Sequence, residues 1–333
     1  MLLTAIKLEF KTPLVISRGW GGYENSEFTI HSDTLKSAIY AVGLNLFPEW
    51  KNSYQEFNDS FFISSCFPFF CDEYFFPILY PDKNNFILPD DNDHKTIKKL
   101  EYVSKGLFEK LLKGEILNIQ KDQIYNKRFL LEKNAVDNAK PMLFVEELQQ
   151  RVTVSTDDLP KPYFVSRLHF GNNSGLFFLI DFKNKEIRNK IYSSLKLLGN
   201  IGIGTDRTVG NGFFDFVPDK HIVESFHINA PSDFNSLMCL GMYWPDANEV
   251  QLIDWNKSAW QIHPRGGFMA GSEITEFKHL FKKSVYMFAP GSIFQCKHVL
   301  KGKFDDLRPE WNDDRMHPVF RSGQPVFVPA VVK

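Results

Sequence analysis

The stretch Gly199-Asn-Ile-Gly202-Ile-Gly204-Thr-Asp-Arg207-Thr-Val-Gly210-Asn-Gly212 decides how this chain is read. It holds five of the protein's 20 glycines. Ahead of it, residues 184–198 place Ile187, Ile191, Leu195 and Leu198 on one helical face. Behind it, Phe213-Phe-Asp-Phe-Val217 reads as a strand. Glycine lacks a Cβ, tolerates positive φ and lets another backbone come close. The segment therefore predicts a loop with an unusual path or an intimate ligand contact. Phosphate-binding loops of the dinucleotide and P-loop types run strand, glycine loop, helix, so that phosphate meets the helix N-terminus. Here the order is helix, loop, strand, and no Gly-Lys-Ser/Thr is present. That order argues against a nucleotide cofactor. A helix C-cap at Gly199 followed by an ordinary turn accounts for one glycine, not five. The remaining reading is a backbone surface that packs on extended RNA. Arg207 is the loop's one cation, and Asp206 partly offsets it.

Outward from this loop, the chain alternates between the two periodicities. Residues 2–11 form a strand, with Leu2, Thr4, Ile6, Leu8 and Phe10 on one face. A loop, Ser17-Arg18-Gly19-Trp20-Gly21-Gly22-Tyr23, leads to a helix opened by Ser32 as N-cap and Asp33 in the first turn. Two strands follow, from Phe61 to Phe70 and from Tyr74 to Leu79, around Cys71-Asp72-Glu73. Residues 95–114 read as a basic helix, and 121–140 as a polar connector. Residues 150–155, Tyr163 to Phe170 and Leu176 to Phe182 are strands before the helix at 184–198. With insertions set aside, residues 1–218 run β, α, ββ, α, β, the ferredoxin-like order of RNA-recognition modules. A second, less regular unit spans 219–333, with strands at Leu237 to Tyr243, Ser284 to Phe288 and Pro325 to Val332.

The bulk numbers narrow the class. A chain of 333 residues suits two domains, and 43% hydrophobic content supports packed cores. Net charge is −1, so a polyanion site has to come from local asymmetry. Cys66, Cys71, Cys239 and Cys296 show no Cys-x-x-Cys spacing, and neither zinc nor a disulfide framework is expected. No apolar run approaches a membrane span, and the expectation is a cytoplasmic protein.

Three groups of side chains carry chemistry. Arg18 and Trp20 suit a phosphate and a base, or else form a surface loop with a half-buried ring. His31 has the chemistry of a general base, but a residue just before an N-cap is more often a structural hydrogen-bonding group. Arg151, Tyr163, Arg167 and His169 share strand faces on which phosphates would pair and bases would stack, and a solvated face is the alternative. Lys278, His279, Lys282, Lys283, Lys297, His298, Lys301 and Lys303, with His263, Arg265, Arg315 and Arg321, make the C-terminal unit locally basic. No nucleophile or metal-ligand motif stands out.

Taken together, four strings resemble one family: Ile30-His31-Ser32-Asp33-Thr34-Leu35, Arg151-Val152-Thr153-Val154, Ser174-Gly175-Leu176 and the glycine segment through Phe213. The family is the RAMP-superfamily subunit that binds the crRNA 5′ tag in type III-A (Csm) CRISPR effector complexes. Val285-Tyr286-Met287-Phe288-Ala-Pro-Gly291-Ser292 and His317-Pro318-Val319 extend the resemblance from residue 2 to about 330. The resemblance implies an α+β chain of two ferredoxin-like (RRM-like) folds with insertions, facing across a groove. It implies that the crRNA 5′ tag is held by Ser17, Arg18, Gly19, Trp20, His31, Ser32, Arg151, Tyr163, Arg167, Gly202, Gly204, Arg207, Gly210, Asn211, Gly212, Arg265, Lys282 and Lys283. It implies docking to the large polymerase-like signature subunit and to the first backbone RAMP subunit. No cofactor, metal or reaction of its own is implied. In backbone subunits of this superfamily an aspartate before the first helix cuts target RNA, whereas Asp33 lies inside the helix start. Asp206 departs from the more basic loops of relatives. Two alternatives stay open: a crRNA-processing endoribonuclease that uses His31, and the equivalent subunit of a type III-B complex.

Overall fold

The computed structural model describes residues 1–16, 24, 26–80, 85–87, 94–133, 143–153, 161–269, 274–309 and 313–332. The N-terminal unit contains β1 (Leu2–Phe10), α1 (Ser32–Gly43), β2 (Phe67–Phe70), β3 (Glu73–Pro77), β4 (Tyr102–Ser104) and α2 (Lys105–Leu112). It continues through β5 (Phe144–Thr153), β6 (Lys161–Phe170), β7 (Ser174–Phe182), α3 (Lys185–Ile201), β8 (Phe214–Asp215) and β9 (Ile222–His227). Its sheet runs β8-β1-β7-β2-β3-β4. The core elements β1, α1, β2, β7, α3 and β8 thus keep the fourth-first-third-second strand order of a ferredoxin-like fold. β1 is central because both of its edges pair. Thr4 to Leu8 face Ile180 to Leu176 on β7, and β8 and β9 share the other edge. α1 and α3 lie against each other over this sheet and bury Leu35, Ile39, Ile191, Leu195 and Leu198.

Three expectations change. The basic helix read at 95–114 is broken by β4, whose Tyr102 and Val103 pair with Pro77 and Phe76 and are buried. An aromatic and a β-branched residue fit that pleated, covered position better than a helix surface. The strand β9 follows residue 219 yet extends the N-terminal sheet, with Leu2 opposite His227. The third change is at α1, where His31 and not Ser32 takes the N-cap position and offers no side-chain cap. The Ser32 hydroxyl instead accepts the Met242 N–H at 2.8 Å.

The C-terminal unit contains β10 (Ser236–Cys239), α4 (Ala247–Leu252), β11 (Asp254–Ala259), β12 (Ile262–Arg265) and β13 (Val285–Phe288). After these come β14 (Ile293–Gln295), β15 (Phe304–Asp306), β16 (Phe320–Ser322) and β17 (Phe327–Ala330). Its sheet order, β11-β14-β10-β17, repeats the same arrangement read from the other edge. The β15–β16 ribbon occupies the place where the second helix of that order would come. A buried carboxylate organises the unit: Glu249 closes the α4 capping box with Asp246 and accepts from Tyr243 and from the Lys301 and Gly302 N–H groups. The two units meet along a seam that is apolar as well as polar, since Met238, Leu240, Ile293, Val326 and Val328 join the core of the N-terminal unit. The Ser65 N–H donates to Leu240 O at 2.8 Å, and Asn58 Nδ2 donates to Gln324 Oε1 at 2.7 Å.

Candidate functional site

The glycine loop leaves α3 at Gly202 (φ +86) and reaches β8 through Gly204 (φ +103), Gly210 (φ +89) and Gly212 (φ +76). Each needs the positive-φ region that side chains avoid. Most of the close approaches are made by the protein's own backbone. A Cβ on Gly204 would stand 2.5 Å from Val15 O, and one on Gly212 would collide with Ile203 O. A Cβ on Gly199 would strike Phe214 O. Gly210 is different: nothing lies within 4 Å of where its Cβ would be. The N–H groups are mostly spent inside as well. Ile203 donates to Gly212 O at 3.0 Å, Thr205 to Val15 O at 2.8 Å, and Gly212 to Pro13 O at 2.8 Å. Among the described residues, the N–H groups of Gly204, Asp206 and Arg207 have no backbone acceptor. The backbone surface open to a ligand is therefore the apex 204–207, not the whole segment 202–212. The Asn211 side chain is also internal, with Nδ2 3.4 Å from Asp206 O and the residue buried.

A segment that sequence reasoning passed over, Pro13 to Ile16, organises this wall. Its Pro13 and Val15 carbonyls hold the glycine loop, and Leu14 exchanges two 2.9 Å backbone bonds with Leu168 on β6. The β5–β6 hairpin is thereby tied beside the loop. Its ten-residue strands pair in register from Phe144↔Phe170 to Thr153↔Lys161. Arg151 stands opposite Tyr163, Glu147 opposite Arg167, and Val145 opposite His169, so the four predicted residues do share one face. Arg151 reaches across and pairs with Asp206, Nη1 to Oδ2 at 2.5 Å. The acidic residue in the loop is thus the hairpin's anchor, held in the left-handed region at φ 62. His169 is taken by Glu147 at 2.8 Å. Arg207 is exposed and, among the described residues, pairs with no carboxylate.

The start of α1 forms a second cluster. Asp33 is 1% exposed and receives Arg265 through two bonds, Nε to Oδ2 at 2.9 Å and Nη2 to Oδ1 at 3.0 Å. Arg321 binds the same Oδ2, and Arg265 also donates to Thr34 Oγ1 at 2.8 Å. One carboxylate of the N-terminal unit thus clamps two arginines of the C-terminal unit. Arg265, expected on RNA, is committed to this clamp, because a buried guanidinium needs a fixed counter-charge. Arg315 is likewise held by Asp313 and Lys301 by Asp59, which lowers the free positive charge of the C-terminal unit.

His31 is 7% exposed, its Nε2 3.1 Å from Glu27 Oε2 and its ring 5.7 Å from that of His263. Burial pushes its pKa below the usual histidine value, with Arg265 and Arg321 adding to the effect and Glu27 opposing it. His221, whose side chain is fully buried, is lowered by burial too, against Glu9. Both rings are neutral in the folded protein and free to protonate in the unfolded chain. The unfolded state thus binds more protons once pH drops below about 6.5, and stability falls from there downward. The expected slope is about 1.4 kcal/mol per pH unit for each extra proton bound. Urea unfolding between pH 7 and 5 measures it, and His31→Gln flattens it. An unchanged slope in that variant removes His31 from the account.

The other expected RNA contacts fall in different places. Ser17, Arg18, Gly19 and Trp20 lie outside the described residues. Ser32 is buried in the seam. Lys282 and Lys283 follow Phe281, where a ribbon extends from β12 and β13. Between the units opens a cleft of about 610 Å³, lined among others by Glu27, Phe28, His31, Tyr102, Arg128 and His263. The Arg128 guanidinium sits 4.0 Å over the Phe28 ring. Among the described residues no cluster of three His, Cys, Asp or Glu side chains is placed to hold a metal ion. No helix among them is long and apolar enough to cross a membrane.

Known proteins match this architecture. Residues 232–330 match the family described as the CRISPR Csm4 C-terminal domain. A relative from Methanocaldococcus jannaschii, described as CRISPR system Cms protein Csm4, is 25% identical over 311 residues, 76% of this chain and 80% of its own length. Among solved structures, a chain of the Csm3–Csm4 subcomplex of the type III-A CRISPR-Cas interference complex superposes with a TM-score of 0.66 at 20% identity. It covers 99% of both chains. A chain of the Csm1–Csm4 cassette in complex with cA4 gives 0.63 at 17% identity, over 100% of this chain and 99% of that one. The chain is similar to the RAMP-type subunit of type III-A complexes along its length, and it shares the fold.

Proposed function

We propose that this chain is the crRNA 5′-tag-binding, capping subunit of a type III-A CRISPR effector complex, in which it acts as a scaffold and not as a nuclease. Similarity to Csm4 over most of the chain supports the assignment, as does the likeness in fold to chains solved with Csm3 and with Csm1. By the same comparison its partners are a backbone RAMP subunit and the large polymerase-like subunit.

The observation that carries RNA binding is the wall built from the glycine-loop apex and the hairpin. The N–H groups of Gly204, Asp206 and Arg207, which have no backbone acceptor among the described residues, lie beside the Arg207 side chain, and the Arg151–Asp206 pair braces the hairpin against them. Unpaired backbone N–H groups in positive-φ turns suit phosphate oxygens, and an exposed arginine adds charge. Tyr163 and Arg167 extend the same face of the hairpin. The neighbouring cleft has walls of rings and arginine and a volume suited to an unstacked nucleotide.

Two observations support a non-catalytic role. Asp33 is sealed under two guanidinium groups, so it has no access to a target phosphodiester. His31 is buried with its Nε2 3.1 Å from Glu27 Oε2, an arrangement that supports a structural role over that of a general base. Incubating the pure protein with repeat RNA is expected to leave the RNA intact, and metal-independent cleavage lost in His31→Ala would overturn the scaffold reading. Arg207→Ala is expected to weaken binding of a 5′-tag oligonucleotide and to reduce the slope of log affinity against log salt by about 1. Equal slopes for the variant and the wild-type protein would take Arg207 off the phosphate chain.

A further inference from the structure

The β5–β6 hairpin and the glycine loop are joined through backbone as well as side chains. Leu14 exchanges two 2.9 Å bonds with Leu168, and the Pro13 and Val15 carbonyls accept from the loop. The Arg151–Asp206 pair is the side-chain tie. It lies near the surface, with 21% and 25% of the two side chains exposed. A pair so placed is exchanged at low cost, because water screens it and each charge keeps part of its hydration.

Around Asp206 the backbone is fixed and the side chain is not. Its φ of 62 and ψ of 19 are held through its carbonyl, which accepts the Val209 N–H at 3.1 Å and the Asn211 N–H and Nδ2 at 3.4 Å each. Among the described residues the carboxylate has one partner, Arg151 Nη1, 2.5 Å from Oδ2. Arg151 also donates from Nε to Gln149 Oε1 at 3.2 Å, so these two bonds leave others of its five donors over. Rotation about χ1 of Asp206 breaks the pair without moving the loop.

The apex supplies a reason for the pair to break. The N–H groups of Asp206 and Arg207, which have no backbone acceptor among the described residues, belong to the carboxylate's own residue and the next. A phosphate seated on them stands beside the Asp206 carboxylate, inside a Debye length of about 8 Å, and the two anions repel. The same phosphate offers Arg151 a pair of oxygens that fits the guanidinium fork. Repulsion of the carboxylate and attraction of the arginine act in the same direction.

We infer that Asp206 is an internal stand-in for an RNA phosphate: it neutralises Arg151 in the free protein and releases it to the phosphate that docks on the loop apex. The exchange rests on the RNA-holding reading proposed above. The test uses the full chain and a fluorescein-labelled single-stranded 5′-tag RNA, titrated between about 50 and 200 mM salt. Asp206→Asn is expected to bind about 2- to 5-fold more tightly, the range set by an exposed ion pair. Asn tolerates the positive φ, and Asp206→Gly, equally at home there, is expected to gain as much. Arg151→Ala is expected to weaken binding and to reduce the slope of log affinity against log salt by about 1. In the Arg151→Ala background the gain from Asp206→Asn is expected to shrink, since no arginine is left to release. No gain in either Asp206 variant overturns the inference, and a loss in both makes the pair a permanent brace. An unchanged slope in Arg151→Ala overturns it too, as does an undiminished Asp206→Asn gain in that background, which reduces Asp206 to a repelling charge. Failure of the underlying reading shows separately: Arg207→Ala and Gly210→Glu then both keep wild-type tag affinity, whereas a failure of the exchange alone leaves their losses in place.

Discussion

Replacing Asp33 by alanine is expected to destabilise the protein by about 3–5 kcal/mol, the cost of leaving buried charge without its partner. Two guanidinium groups depend on this one carboxylate, and both are largely out of water. Removing it strands Arg265 and Arg321 at the junction of the two units. Chemical denaturation measures the loss, and Asp33→Asn is expected to recover little, because an amide keeps the shape but not the charge. A second variant checks the cause. Exchanging the whole cluster for apolar residues, as in Asp33→Leu/Arg265→Met/Arg321→Met, removes the stranded charges and is expected to regain most of the stability. If Asp33→Ala costs less than about 1 kcal/mol, a typical net hydrogen bond, the clamp does not hold the units together.

Two glycines of the loop are expected to behave differently, and the difference tests what the loop is for. At Gly204 even alanine has to fit a Cβ 2.5 Å from Val15 O at φ +103. Strain of about 1–3 kcal/mol from the dihedral alone adds to that collision. Gly204→Ala is therefore expected to pull the loop off residues 13–16, lower stability and lose the tag RNA with it. At Gly210 the space is open, and the cost is the positive φ by itself, about 1–2 kcal/mol. Gly210→Glu is expected to stay folded while its carboxylate repels RNA phosphate beside Arg207. Thermal melting together with tag-oligonucleotide binding separates the two. Wild-type tag affinity in Gly210→Glu would remove the loop apex from the interface.

The ferredoxin-like order was legible because it rests on periodicity. The alternation at Leu2 to Phe10, the helical stripe from Ile187 to Leu198 and the apolar run into Phe182 each encode a local element. The break of the basic segment at Tyr102 was not legible, since its lysines keep a helical spacing until β3 offers a strand edge. Several residues singled out in the sequence for RNA contact have structural partners in the fold. Gly204 and Gly212 are glycines because the chain folds on itself there, and Arg151 is conspicuous because Asp206 needs it. Ser32 and Arg265 belong to the seam, and Pro13 to Ile16, with no unusual composition, gave no signal at all.

The sequence by itself determined the succession of the core elements β1, α1, β2, β7, α3 and β8, the place of the five-glycine loop between α3 and β8, and the absence of a phosphate-loop order. These depend on residues within a turn or two of one another. Only the tertiary structure decided which polar groups remain free for a ligand. Arg151 and Asp206 are 55 residues apart, and Asp33 stands 232 and 288 residues from Arg265 and Arg321. A charge's availability depends on what folding brings within about 3 Å of it, and no local pattern encodes that partner. In the RNA-holding role proposed above, the contribution of the glycine segment is confined to the apex around Arg207.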